Sequence, residues 1–347
     1  MDFQFSAEDE AFRHELRGWL AANLPSDHRK PDFTVEFFAD EEGEAWARRV
    51  AWHRRMNAGG WIAIHWPKEH GGRAASLTRQ VIYHEELARA GAPQMVNAQG
   101  IALVGPTLMH WGTEEQRQRY LPKMLAAEEI WCQGYSEPGA GSDLASLTTT
   151  AVEDGDDFIV NGQKVWTSDA HHADRCFLLV RSDPDAPKHK GVTYLLVDMH
   201  SPGITVRPLV QLTGDRGFNE MFFEAVRVPK ENIVGGKNNG WLVALTSLMY
   251  ERRARDLTPL VEDLARVAKS LRRDGQSAWD DARVRQRLAE FRGEAEAVRL
   301  TELRQLTERL KGAFARTGKL DSQAHLQRAQ RANQQVCDGA AGAIRTA

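Results

Sequence analysis

Residues 132–143 read CQGYSEPGAGSD. It holds Gly134, Gly139 and Gly141, one proline, and the hydroxyls of Ser136 and Ser142. Glycines let the backbone approach a ligand, and the amides they expose can bond phosphate or carbonyl oxygens. The stretch can therefore cradle a phosphate, hold a ring, or simply turn the chain. A dinucleotide-binding turn would carry G-x-G-x-x-G between a parallel strand and a helix. That spacing is absent, and the pattern on either side is of another kind.

Upstream, apolar residues recur at helical spacing. Ser6 and Asp9 form a capping-box pair ahead of Phe12, Leu16, Trp19, Leu20 and Leu24, and Pro25 stops the run. Residues 41–58 start acidic and end basic, which suits the helix dipole, and Gly59-Gly60 closes them. Further helices are expected at 76–90 and 114–127, the latter opened by Thr113 with Gln116.

Downstream the period drops to two. FIV-NG-QKVW (158–166) predicts two short strands turning at Asn161-Gly162. CFLLVRS (176–182), VTYLLVDM (192–199), ITVRPL (204–209) and NEMFFEAVRVP (219–229) predict four more. Helical patterns return at 240–273, with Pro259 expected to bend or interrupt the run, then at 281–313 and 322–336. Helices, then strands, then helices make an α+β multi-domain chain, since a doubly wound sheet alternates the two. The expected divisions are 1–128 (helical), 129–235 (β), 236–320 (helical) and a tail at 321–347.

Composition narrows the function. Lys and Arg number 45 against 48 Asp and Glu, a formal net charge of −3, which offers nucleic acid no electrostatic footprint. Cys132, Cys176 and Cys337 have neither metal spacing nor a disulfide framework, so a reducing cytoplasm is expected. The acidic start reads as helix rather than as a signal peptide. No apolar run nears the ~20 residues of a membrane span, so no membrane partner is expected.

Two constellations carry candidate chemistry. Trp166 is followed by Thr167 and Ser168, an indole beside hydroxyls, which suits stacking on and bonding to a planar heterocycle; a surface turn and a core tryptophan remain the plainer alternative. Glu251 stands in Tyr250-Glu251-Arg252-Arg253 on a face shared with Ala244, Leu248 and Ala254. Desolvation there would lift a carboxyl from ~4.3 toward the ~6–7 of a general base, although a surface glutamate paired with arginine fits the same spacing. His171-His172 would point to opposite faces of a strand and lack a third ligand, so a turn or packing role is expected.

Four ordered motifs then give a likeness. CQGYSEPGAGSDLASLTTTA, NGQKVWTS, GITVRPL and FFEAVRVPKENIVGGKNNGW closely resemble the flavin-dependent acyl-CoA dehydrogenases over roughly residues 5–315, near bacterial pimeloyl-CoA dehydrogenase large subunits. The resemblance implies an N-terminal helical domain, a middle domain of two packed sheets, and C-terminal helices, with FAD bound between the last two. It implies that Ser136 bonds the flavin ring, that Gln133 lies near it, and that Trp166 and Ser168 pack on and bond it. Ser142 would contact the pantetheine or phosphate region of acyl-CoA, and Arg252 the substrate.

The implied reaction is α,β-desaturation of an acyl-CoA thioester. Glu251 matches a glutamate that removes the α-proton while hydride passes to flavin N5 and electrons go on to an electron-transfer flavoprotein. The resemblance also implies a homo- or hetero-oligomer. The family's closing Gln and Gly-Gly stretch and its Gly-Thr turn have no counterpart here. From Asp321 the chain is rich in Gln, Ala and Arg, with Leu326, Val336 and Ile344 its large aliphatics. The expectation is therefore a weakly ordered tail and missing native C-terminal helices, through truncation or a frame change. Two other functions stay open: a same-fold flavin oxidase, and a non-catalytic subunit of a heteromeric dehydrogenase.

Overall fold

The computed structural model describes residues 5–25, 43–212, 214–251, 257–273 and 275–310. In chain order the helices are α1 (Ala7–Asn23), α2 (Glu44–Ala58), α3 (Leu77–Ala90), α4 (Gly105–Trp111), α5 (Glu114–Leu125), α6 (Gly240–Glu251), α7 (Thr258–Ser270) and α8 (Ala282–Leu310). The strands are β1 (Trp131–Gly134), β2 (Thr150–Asp154), β3 (Asp157–Ser168), β4 (Arg175–Arg181), β5 (Val192–Asp198), β6 (Ile204–Leu209), β7 (Phe218–Pro229) and β8 (Ile233–Val234), followed by a two-stranded pair at 272–273 and 276–277. Helices, a β middle and helices thus follow one another as the sequence pattern requires.

The backbone divides into two compact units. One contains α1, α3, α7 and α8. The Ser6 hydroxyl caps α1 by accepting from the Asp9 amide at 3.1 Å. Phe12, Leu16 and Leu20 bury their side chains, as the helical spacing dictates. Between α1 and α3, Arg13 and Arg17 converge on the buried Glu86, whose carboxylate accepts at 2.8 Å from Arg13 and 2.7 Å from Arg17. Leu257, Val261 and Leu264 of the α7 segment pack on Phe291, Ala295 and Val298 of α8. Pro259 sits in the first turn of α7, where its missing amide costs nothing. The expected 240–273 helix is accordingly two helices, α6 and α7.

The other unit contains the sheet together with α2, α4, α5 and α6. Its strands run in the order β6-β7-β3-β2-β4-β5-β8, with β1 parallel to β4. β2 and β4 meet at a single pair, Thr150↔Arg181. The ladder is therefore pinched into two halves, and their side chains share one apolar core. Phe158, Val160, Met221 and Val226 come from one half; Cys176, Leu178, Leu195 and Val197 come from the other. This fits the expected pair of packed sheets.

One expectation is corrected. Residues 158–166 do not form a hairpin around Asn161-Gly162; they lie within the single strand β3. The turn is Gly155-Asp156, closed by the pair Asp154↔Asp157, with Gly155 at φ +61°. Asn161-Gly162 is instead a bulge, where the register to β7 shifts between Val160 and Gly162. The Asn161 side-chain oxygen accepts the Ala225 amide at 2.8 Å. Gly162, at φ +153°, passes so close to Thr149 that a Cβ would lie 2.5 Å from its hydroxyl oxygen. Close backbone approach, rather than chain reversal, is what this glycine serves.

α5 opens with the full reciprocal capping box of Thr113 and Gln116. The Gln116 side chain also donates to the Glu231 and Ile233 carbonyls at 2.8 and 2.9 Å, tying the helix to the end of the β segment. α6 is fixed by α4. Ser247 and Thr107 share a buried 2.8 Å hydroxyl contact, and the Trp111 indole donates to Thr246 at 2.9 Å. No described helix is long and apolar enough to cross a membrane. The expected helix at 322–336 and the tail at 321–347 lie outside the described residues.

Candidate active site

Strand β1 delivers the glycine-rich loop to the sheet. Gln133 is half-buried and pairs in register with Phe177 of β4. Gly134 passes over Cys176 and Leu178 so closely that a Cβ would lie 2.6 Å from the Leu178 side chain. Three residues after Gln133, the Ser136 carbonyl accepts the Val165 amide at 2.9 Å, docking the loop onto β3. Glu137 and Ala140 then exchange two 3.0 Å backbone bonds around Pro138-Gly139. Ser142 lies beyond this turn and is exposed; its neighbour Asp143 takes the Lys188 ammonium and the Ser146 hydroxyl.

Beneath the loop lies a buried ion pair. The Lys164 ammonium donates to Glu137 at 2.8 Å and to the Tyr135 carbonyl at 3.1 Å. Glu137 also accepts from the Thr148 amide and hydroxyl (2.6 and 2.8 Å) and from the Thr149 amide (2.9 Å). Burial alone would raise the Glu137 carboxyl; the Lys164 charge and these donors outweigh it and hold the carboxyl at about 2. Burial also pulls the Lys164 ammonium down, against the support of Glu137. The carboxylate, with so many donors, is the anchored member of the pair.

Two residues past Lys164, the strand breaks register between Lys164 and Thr167. Trp166 sits in this break at φ +61°, a conformation that costs a bulky side chain on the order of 1–3 kcal/mol. Its indole is 61% exposed and is braced edge-on by Phe218, with ring centroids 5.9 Å apart. Ser168 follows, paired in register with Phe218. A strained, exposed indole, next along the strand from the Val165 amide that holds the Ser136 carbonyl and two residues before Ser168, fits a flat heterocycle with polar edges.

Of the residues singled out from sequence, Ser136 is bonded through its backbone to the strand that carries Trp166 and Ser168, with Gln133 at the base of the same loop. Ser142 is carried farther along it. Glu251 ends α6, but its side chain is outside the description, and Arg252 lies outside the described residues altogether. The inferred base pKa of Glu251 therefore has no geometric counterpart here.

His171 and His172 lie on a helical turn, not a strand. His172 stacks on Trp46 at 3.8 Å, and the Asn219 amide donates to His171 at 3.1 Å, a packing arrangement. Among the described residues, no group of three or more metal-ligating side chains comes together. Sequence reasoning passed over Lys164 and Glu137. The signal was available: Lys164 falls in the alternation phase of the buried Phe158 and Val160, an odd position for a charge.

Comparison with known proteins gives the family. The family model described as acyl-CoA dehydrogenase, N-terminal domain, matches residues 6–128, and the acyl-CoA dehydrogenase middle-domain model matches 132–226. The acyl-CoA dehydrogenase IpdE1 of Mycobacterium tuberculosis is 45% identical over 296 residues, spanning 80% of this chain and 72% of its own. The solved Tcur3481-Tcur3483 steroid ACAD superposes with a TM-score of 0.75 at 34% identity, covering 95% of this chain and 85% of that one. The ChsE4-ChsE5 complex of Mycobacterium tuberculosis gives 0.73 at 34% identity, over 89% of this chain and 78% of that one. Matched by both family models and 45% identical to a named member over most of its length, the chain belongs to the acyl-CoA dehydrogenase family of oxidoreductases.

Proposed function

We propose that this chain is the FAD-binding, catalytic subunit of an acyl-CoA dehydrogenase, with Glu251 as the base that removes the substrate's α-proton. The observation that carries the reading is Trp166, an exposed indole held in a strained conformation on the strand that bonds the Ser136 carbonyl. Strain of that kind persists where surrounding structure enforces it and where a ligand makes use of it. Bound there, FAD supplies the two-electron acceptor that the protein's own side chains lack.

The residues have distinct parts in this reading. The Trp166 face stacks on the ring, and the Ser136 and Ser168 hydroxyls bond its edge, with Gln133 nearby. Ser142 and Arg252 hold the CoA portion and the acyl wall. Glu251, on the last turn of a helix whose Val243, Ala244 and Ser247 are buried, takes the α-proton. Orientation of the thioester against that carboxylate is the chain's contribution to rate.

A bulky acyl group is the proposed substrate class, since a similar solved protein is called a steroid ACAD. A second chain is the proposed partner, supported by the likeness to the ChsE4-ChsE5 complex, and an electron-transfer flavoprotein is the proposed acceptor. The free thiols of Cys132 and Cys176 suit the cytoplasm.

The test is anaerobic mixing of the flavin-loaded protein with straight-chain and polycyclic acyl-CoAs. Bleaching that is reversed by an electron-transfer flavoprotein and only slowly by air is the expected result. Rapid reoxidation by air would make the chain an oxidase. Flavin that no acyl-CoA bleaches would make it a non-catalytic subunit.

A further inference from the structure

Ser136 is held from both sides by one buried cation. The Lys164 ammonium bonds the Tyr135 carbonyl at 3.1 Å and the Glu137 carboxylate at 2.8 Å, the two residues that flank Ser136. The next residue on the strand, Val165, donates its amide to the Ser136 carbonyl at 2.9 Å. Lys164 is itself two positions from Trp166 and four from Ser168. We propose that Lys164 is a positioning residue, whose ammonium sets the Ser136 hydroxyl in register with the Trp166 indole and the Ser168 hydroxyl.

Three arguments lead there. First, Lys164 is fully buried, so its long, normally mobile stem has one path and its ammonium one location. Second, a buried ion pair is a poor source of stability, because well-packed apolar residues commonly do as well; its use in fixing one geometry over others is the better-attested role. Third, apolar packing holds the neighbours of Ser136, with Tyr135 edge-on to Phe177 and Tyr194 and Ala140 buried, while the polar register to β3 comes from the Val165 amide and the Lys164 ammonium. A Cβ at Gly139 or Gly141 would meet nothing, so these two glycines face away from the strand. The Thr148 and Thr149 donors fix Glu137 from the far side, the Glu137–Ala140 bridge closes the turn, and Lys164 joins that turn to the strand beside the Val165 amide.

The inference rests on the flavin reading of the site, so its test includes a readout independent of bound flavin. In Lys164→Met, the loop should lift from β3. Amide exchange at Val165 and Ala140 in the flavin-free protein should then rise about tenfold or more, while amides in α5 stay as they were. In the loaded protein, kcat should fall about 100-fold, the cost of a misplacement near 1 Å, with KM for acyl-CoA little changed and the flavin absorption bands shifted.

Glu86→Gln, in the other unit, supplies a destabilised control in which exchange at Val165, bands and kcat stay as in the parent. Thr148→Val, which removes one donor to Glu137, should move the same readouts by a smaller amount. It serves as the second variant if Lys164→Met does not fold. Variants that lose thermal stability yet keep parental exchange at Val165, parental bands and parental kcat would overturn the proposal. A parent protein that binds no FAD would sink the flavin reading instead, and the exchange measurement would still decide the role of Lys164.

Discussion

At the scale of single residues, His53 sets the behaviour in mild acid. It is fully buried, and one ring nitrogen lies 3.2 Å from the Leu125 carbonyl. A carbonyl only accepts, so Nε2 carries the proton; Nδ1 is buried without a partner. Burial therefore penalises the charged ring more than the Leu125 and Met124 carbonyls support it, and the pKa falls from 6.5 to about 4. A depressed folded pKa means that the unfolded chain takes up the proton first. Stability is complete above pH 6.5 and declines from there to about 4, by about 3 kcal/mol. Below 4.5 the loss continues as Glu137, held at about 2, is left charged against a protonating unfolded state. His53→Gln keeps a donor for Leu125 and should flatten the first limb alone, as read by urea unfolding across pH.

Trp166 makes the complementary point. Replacing it with glycine removes the strain at φ +61° and should stabilise the flavin-free protein by about 1 kcal/mol. The same change should weaken FAD binding about tenfold or more, because the stacking face is gone. Calorimetry of the free protein and fluorescence titration with FAD check the two halves. A position where stability and ligand affinity move in opposite directions is a binding position.

At the scale of elements, the two glycines of β2–β3 have different duties. Gly155 needs only its positive φ, and nothing surrounds it. Gly162 needs the space as well, since Thr149 occupies the place of a Cβ. Gly155→Ala should cost about 1 kcal/mol and Gly162→Ala about 2 or more, in thermal unfolding. This pair also shows how far the sequence could be read. The Ser6 cap, the Thr113 capping box, and strands at 176–182, 192–199, 204–209 and 219–229 were legible because hydrogen-bond donors and alternation are local; the expected box at Ser6 is a one-way cap, with the Asp9 carboxylate taking the Ser6 hydroxyl instead of its amide. Asn161-Gly162 was misread because a turn and a bulge use the same residues; the choice depends on Thr149 and Ala225, which are distant in sequence.

β1 and β2 escaped notice for a related reason. Four residues of Trp131–Gly134 give too short a pattern to register, and β2 alternates only weakly, with Ala151 its one buried residue. Among the helices, the pair α1 and α3 depends on Glu86, buried between Arg13 and Arg17. Glu86→Gln should cost about 2 kcal/mol, because it weakens the charge-assisted bonds to Arg13 and Arg17 while Glu85 and Glu10 still neutralise the buried guanidinium of Arg13.

At the scale of the whole molecule, order along the chain carried the family. Helices, sheet and helices, with the glycine-rich loop at the entry to the sheet and the indole twenty-odd residues later, make a pattern that composition alone could not. The candidate site was legible as residue types, Ser136, Trp166 and Ser168, but not as an arrangement. The dihedral of Trp166 and the ammonium beneath Ser136 are products of long-range pairing. Glu251 rests on motif position and on the α6 backbone, so it is the assignment most in need of a direct trial.

That trial is the anaerobic reduction of bound flavin by acyl-CoA in the parent and in Glu251→Gln. The account predicts that both proteins bind FAD with the same absorption bands, and that the parent bleaches on mixing. The variant should bleach about 1,000-fold more slowly or not at all, the share of a lost general base. A variant that bleaches at the parental rate would contradict the account and move the base elsewhere in the chain.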